Sequence, residues 1–97
     1  MSVFLSKFAE NSIRKIGFYI SEEGYPNNAI NYILRLQQFI NSLGLLPRKL
    51  SLCKQLHFSK RNFHCAVFEK TYIVVFKIKP EGVYVYNIIH GSRLKQK

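Results

Sequence analysis

The sequence predicts an α+β fold. Apolar residues recur at helical spacing through the first half of the chain and alternate with period two in its last third, and 97 residues leave room for one domain and one core. The expected architecture is an N-terminal strand, an antiparallel helical hairpin, then a three- to four-stranded antiparallel sheet with the helices on one face. A domain of this size buries roughly 65% of its unfolded surface, enough to fold without metals or disulfides.

Val3, Phe4 and Leu5 form a short apolar segment that fits a first strand. Ser6, with Glu10 following, marks a helix cap region. From Lys7 to about Glu23, Phe8, Ala9, Ile13, Ile16 and Ile20 make an apolar stripe, while Lys7, Glu10, Asn11, Arg14 and Lys15 fall mostly on the other side. Gly24 is a natural stop. Pro26 then sits in the first turn of a second helix, whose stripe of Ala29, Ile30, Ile33, Leu36, Ile40 and Leu43 runs to Gly44. The connection between the two is only a few residues long, so they pack as an αα-hairpin.

Residues 45–60 contain Pro47 and mixed polarity and are expected to form a basic loop, with a short strand around Leu52 to Leu56. Beyond it the period changes. Phe63, Cys65 and Val67 alternate with their neighbours, as do Tyr72, Val74, Phe76 and Ile78, and Val83 to His90 supplies a third strand. Lys79-Pro80-Glu81-Gly82 is the turn between the last two, with Pro setting φ and Gly free to take positive φ.

Charge is the most informative bulk property. Fifteen Lys and Arg against five Asp and Glu leave +10 with His neutral, a field that attracts polyanions: nucleic acid, the ribosome, an acidic membrane surface or an acidic protein. The longest aliphatic or aromatic run, Tyr72-Ile73-Val74-Val75-Phe76, is far short of the roughly 18 to 20 residues of a membrane span, so no membrane is expected as a partner. The first residues lack the pattern of a secretory signal, which points to the cytoplasm. Cys53 and Cys65 form no CxxC pair, and both are expected to be reduced, buried and structural rather than disulfide-bonded or zinc-binding. Neither a metal nor a cofactor is expected.

The ending Val85-Tyr86-Asn87-Ile88-Ile89-His90-Gly91-Ser92-Arg93 resembles the RelE/ParE superfamily of toxins, and more closely its ParE-like branch. Many members end their last strand with aliphatic residues followed by His-Gly-x-Arg, after an aromatic-aliphatic strand and turn similar to residues 72–82. The helical hairpin agrees, with Ala9, Ile16, Pro26, Ala29, Leu43 and Pro47 in the family's spacing. Two departures stand out: Ser92 replaces a frequent basic residue, and Leu94 replaces a frequent Asp.

The resemblance implies the toxin of a bacterial type II toxin–antitoxin module, of the kind associated with plasmid stabilization. It is held as a hetero-oligomer by a cognate antitoxin that wraps it, and the +10 charge suits an acidic partner of that kind. ParE-like members inhibit DNA gyrase, whereas RelE-like members cut mRNA on the ribosome. Gyrase inhibition ranks first on the ending, and because nothing aromatic follows Tyr86 where the nucleolytic branch often has Tyr. A basic sheet that binds nucleic acid ranks third.

Cleavage of RNA by its 2′-hydroxyl needs a base, positive charge for the phosphorane-like transition state, and an acid. Lys54, His57, Lys60, Arg61, His64, His90 and Arg93 lie on or beside the expected sheet. For a nuclease the candidates are His90 as acid or base and Arg61 and Arg93 as phosphate clamps. For nucleic-acid or partner binding they are Arg48, Lys49, Lys54, Lys60, Arg61 and Arg93. Each has a plainer reading. His90 can cap its strand, His64 can be a sheet-surface residue, Lys60-Arg61 a solvated turn, Arg93 an anchor for the tail, and Arg48-Lys49 a loop that keeps an edge strand soluble. Packing accounts for Tyr72, Tyr84 and Tyr86.

Overall fold

A computed structural model describes residues 1–24, 26–45 and 52–94, without the side chains of Pro26, Leu56, His57, Arg93 and Leu94. Arg48 and Lys49 therefore lie outside the described residues, as do the side chains of His57 and Arg93. The order is β1 (Ser2–Leu5), α1 (Lys7–Glu22), α2 (Pro26–Ser42), one helical turn α3 (Leu56–Ser59), β2 (His64–Phe68), β3 (Tyr72–Lys79), β4 (Gly82–His90) and a closing 3-10 turn, Gly91–Leu94. This is the expected α+β arrangement.

Ser6 caps α1 as anticipated. Its hydroxyl accepts from the Ala9 N–H at 3.0 Å and donates to the Tyr86 carbonyl, so one side chain closes the helix and ties it to β4. Ser6→Ala removes both bonds, and a loss of about 1–2 kcal/mol is expected in urea unfolding. A change below the error of the fit would mean that water replaces the hydroxyl at no cost.

The four strands run in the order β1-β4-β3-β2, with β2, β3 and β4 antiparallel. The N-terminal strand joins the same sheet but runs parallel to β4, from Ser2 opposite Gly82 to Leu5 opposite Val85. One helix-covered face results. Ala9, Ile13 and Ile16 from α1 and Leu36, Ile40 and Leu43 from α2 bury against Val74, Phe76, Val83, Val85 and Ile88. Phe8 and Ile30, expected in those stripes, are instead 63% and 61% exposed, because the buried arc of each helix is narrower than its apolar arc.

Two local expectations change. The strand foreseen near Leu52 to Leu56 is reduced to one bridge, Leu52 to His64, followed by the turn of α3. Cys53 and Cys65, expected as free thiols, form a disulfide. The backbone carries Cys53 alongside Phe63, where its N–H donates to the Phe63 carbonyl at 3.0 Å, and this brings its sulfur to that of Cys65. Spacing along the chain could not show that approach.

β4 carries the feature that matters most for the site. Val75 pairs with Asn87 but Phe76 pairs with Val85, so Tyr86 is an extra residue, a β-bulge. Before it, Val83 and Val85 point to the helices; after it, the phase has shifted and Ile88 does. Asn87 holds the bulge, its side-chain oxygen accepting from the Ser12 hydroxyl at 2.6 Å and the Ile88 N–H at 2.8 Å.

Candidate functional site

The residues singled out from sequence fall into two places. His90, at the end of β4, faces the helix side because of the bulge. It lines a cleft of about 610 Å³ with Ser12, Lys15, Tyr19, Tyr32, Thr71, Tyr72 and Ser92, floored by Ile16, Ile20 and Ile88. Its ring meets Tyr72 edge-on at 5.3 Å. The Ser92 N–H donates to His90 Nδ1 at 3.2 Å and the Ser92 hydroxyl lies 2.8 Å from the same nitrogen. With Nδ1 accepting, the neutral ring carries its proton on Nε2. Burial, with the nearby Glu69 carboxylate adding to it, raises the Tyr32 hydroxyl above its ordinary value, so this phenol stays neutral. Glu69 is engaged in turn by Arg35 at 2.8 and 3.3 Å, an exposed pair that links α2 to the turn between β2 and β3.

Lys54, Lys60 and Arg61 lie elsewhere. They are exposed on the segment around α3, which packs through Cys53, Phe58 and Phe63 against Val75 on the opposite face of the sheet. Arg61 precedes the start of β2, where His64 pairs with Phe76; His90 is level with the end of β2, through Phe68 to Tyr72 to His90. Four residues at about 3.3 Å each and two strand spacings of about 4.8 Å therefore separate them, roughly 16 Å, besides the thickness of the sheet. His90 and Arg61 do not meet. The backbone of Arg93 lies in the closing turn, after Gly91 and Ser92. His64 stacks on Phe76 at 5.5 Å at the edge of the sheet.

The outer face carries a cluster that the sequence reading passed over. Phe4 stacks on Tyr84 at 4.9 Å, with the Lys79 ammonium 4.8 Å from the Tyr84 ring; Phe63 meets Tyr86 at 5.1 Å, with the Lys77 ammonium 4.7 Å from the Phe63 ring. Between them is a shallow cleft of about 310 Å³ whose lining includes both lysines and no carboxylate. The signal was legible in the alternation: Lys77 and Lys79 share one face of β3, and Tyr84 is the partner of Lys77 on β4. Aromatic rings with ammonium groups over them, on a chain of +10, make this a basic and aromatic surface.

Among the described residues no group of His, Cys, Asp and Glu could hold a metal, and no helix is long and apolar enough to cross a membrane. Comparison with curated proteins finds no match. The family model described as the ParE toxin of type II toxin-antitoxin system, parDE, matches residues 3–95, and over that span the strand, helical hairpin and sheet are those the ending implied. The chain belongs to the ParE toxin family of type II toxin–antitoxin systems.

Proposed function

We propose that this toxin, acting as one domain over residues 1–97 in the cytoplasm, inhibits DNA gyrase and is neutralised in a hetero-oligomer by a cognate acidic antitoxin. The observation that carries the choice of target is the separation of His90 from Arg61 across the sheet. A proton-transfer residue and a phosphate clamp have to meet at one phosphodiester, within hydrogen-bond reach. Inhibition by binding makes no such demand. It calls for a surface, and the basic and aromatic outer face, with Lys54, Lys60 and Arg61 at one side and Lys77 and Lys79 across it, supports that mode of action. Arg93 is assigned a partner-binding role beside His90.

Induced expression in bacteria, alone and with the antitoxin gene, tests the reading, with plasmid supercoiling and transcript integrity followed separately. Growth arrest with gyrase-linked DNA breaks is expected, and His90→Ala should retain it. Lys77→Glu combined with Lys79→Glu should reduce toxicity at least about tenfold, since reversed charge opposes an acidic surface at close range. Ribosome-dependent transcript cuts that disappear in His90→Ala would replace this reading with the mRNA endonuclease.

A further inference from the structure

Among the described residues, the segment between α2 and β2 meets the sheet through a bridge, a hydrogen bond and a small apolar cluster. Leu52 makes one bridge to His64, and Cys53 makes one hydrogen bond to Phe63. Phe58 and Phe63 meet edge-on at 5.7 Å and, with Cys53, pack on Val75, Ile73 and Ile89. This small cluster is distinct from the main core under the helices. A covalent link is added to these: the Cys53–Cys65 bond closes a loop of sequence separation 12 that carries Lys54, Lys60 and Arg61.

We propose that the Cys53–Cys65 disulfide is a redox-operated staple, which when formed holds the basic loop on the outer face of the sheet and when reduced releases it while the main core stays folded. The inference is independent of the toxin's target. A segment that stands apart from the main core and packs on the sheet through a small satellite cluster is the kind of unit that opens on its own, and a cross-link at its start suppresses the opening by restricting the released loop.

The two sulfurs differ in access. Cys53 is 3% exposed, whereas Cys65 on the edge strand is partly exposed. A dithiol reductant attacks with its thiolate at the Cys65 sulfur, the Cys53 thiolate leaves and takes up a proton, and the second thiol of the reductant then displaces Cys65. Two electrons and two protons pass to the two cysteines, and the reductant ends as its own disulfide. Oxidation by a disulfide of the same class reverses the step. The loop that moves bears three cations, so the redox state of one bond decides whether they are held beside Lys77 or freed from it.

The test uses the full chain, purified in air, with and without dithiothreitol. Alkylation followed by mass measurement should find no free thiol before reduction and two after it. Hydrogen exchange should then show amides of residues 53–63 losing protection by about tenfold or more, with α1, α2 and β3 unchanged. The melting temperature should fall by roughly 10 °C and recover on reoxidation. Cys53→Ser with Cys65→Ser should show the loop-open pattern whether or not reductant is present. Two free thiols in the untreated protein would overturn the proposal. So would unchanged exchange in the loop after reduction, or loss of protection throughout the sheet, which would make the bond a support of the whole fold.

Discussion

Gly82→Ala is expected to detach β1 from the sheet and to lower stability by about 3 kcal/mol or more, a fall in melting temperature of roughly 15 °C. Two causes act together. Gly82 has φ +154°, a conformation that side-chain-bearing residues rarely adopt, and a Cβ there would lie 2.4 Å from the Ser2 carbonyl oxygen and 2.9 Å from the Phe4 ring. The first contact is with backbone and cannot be relieved by a rotamer change. Because Ser2 pairs with Gly82 in the parallel ladder, relief means moving β1 away, and the Phe4–Tyr84 stack goes with it. Gly24→Ala is the control, since Gly24 also has positive φ but a Cβ there meets nothing within 4 Å. Only the conformational cost, about 1 kcal/mol, should appear in it. Equal losses in the two variants, read from urea midpoints, would show that the approach of β1 contributes nothing.

Deletion of Tyr86 should cost about 3–4 kcal/mol, because it removes the bulge together with its ring contacts and hydrogen bonds. The faces of the strand should not change: Val85 and Asn87 already pair with the successive residues Phe76 and Val75, so closing the gap continues the present register and leaves Ile88 and His90 on the helix side. The Asn87 bonds to Ser12 and the Ile88 N–H, which the bulge allows, would be lost, as would the bond from the Ser6 hydroxyl to the Tyr86 carbonyl. Tyr86→Ala is the comparison: it keeps the extra residue and its carbonyl while giving up the ring contacts to Phe8 and Phe63. It should cost far less, about 1–2 kcal/mol, and the Tyr72–His90 contact should stay intact by NMR in both variants. If the deletion proves as mild as Tyr86→Ala, the bulge contributes no stability beyond the ring contacts; if it breaks the Tyr72–His90 contact, the strand has slipped from this register.

Much of this was open to reading in one dimension. The stripe of Ala9, Ile13 and Ile16, the cap at Ser6 and the stop at Gly24 are local features, where each residue's neighbours in space are its neighbours in sequence, and they came through with boundaries shifted by a residue or two. The same holds for β2 and β3, whose alternation shows which residues share a face, and for β4 on either side of Tyr86 taken separately. The ending at residues 90–93 pointed to the family that the match over residues 3–95 establishes. Phe8 and Ile30 show the limit of a helical stripe, since periodicity shows an apolar arc but not how much of it the sheet can cover.

The sequence by itself determined the elements, their order, the charge and the toxin family, because those depend on periodicity, caps, turns and motif positions that act over a few residues. Only the tertiary structure decided that β1 is parallel to β4, that Cys53 reaches Cys65, and that His90 and Arg61 stand on opposite faces. Each of these depends on which strands become neighbours and in what register. Register is set by pairing across the sheet, and a single unpaired residue, Tyr86, reverses the face of everything that follows it in the strand.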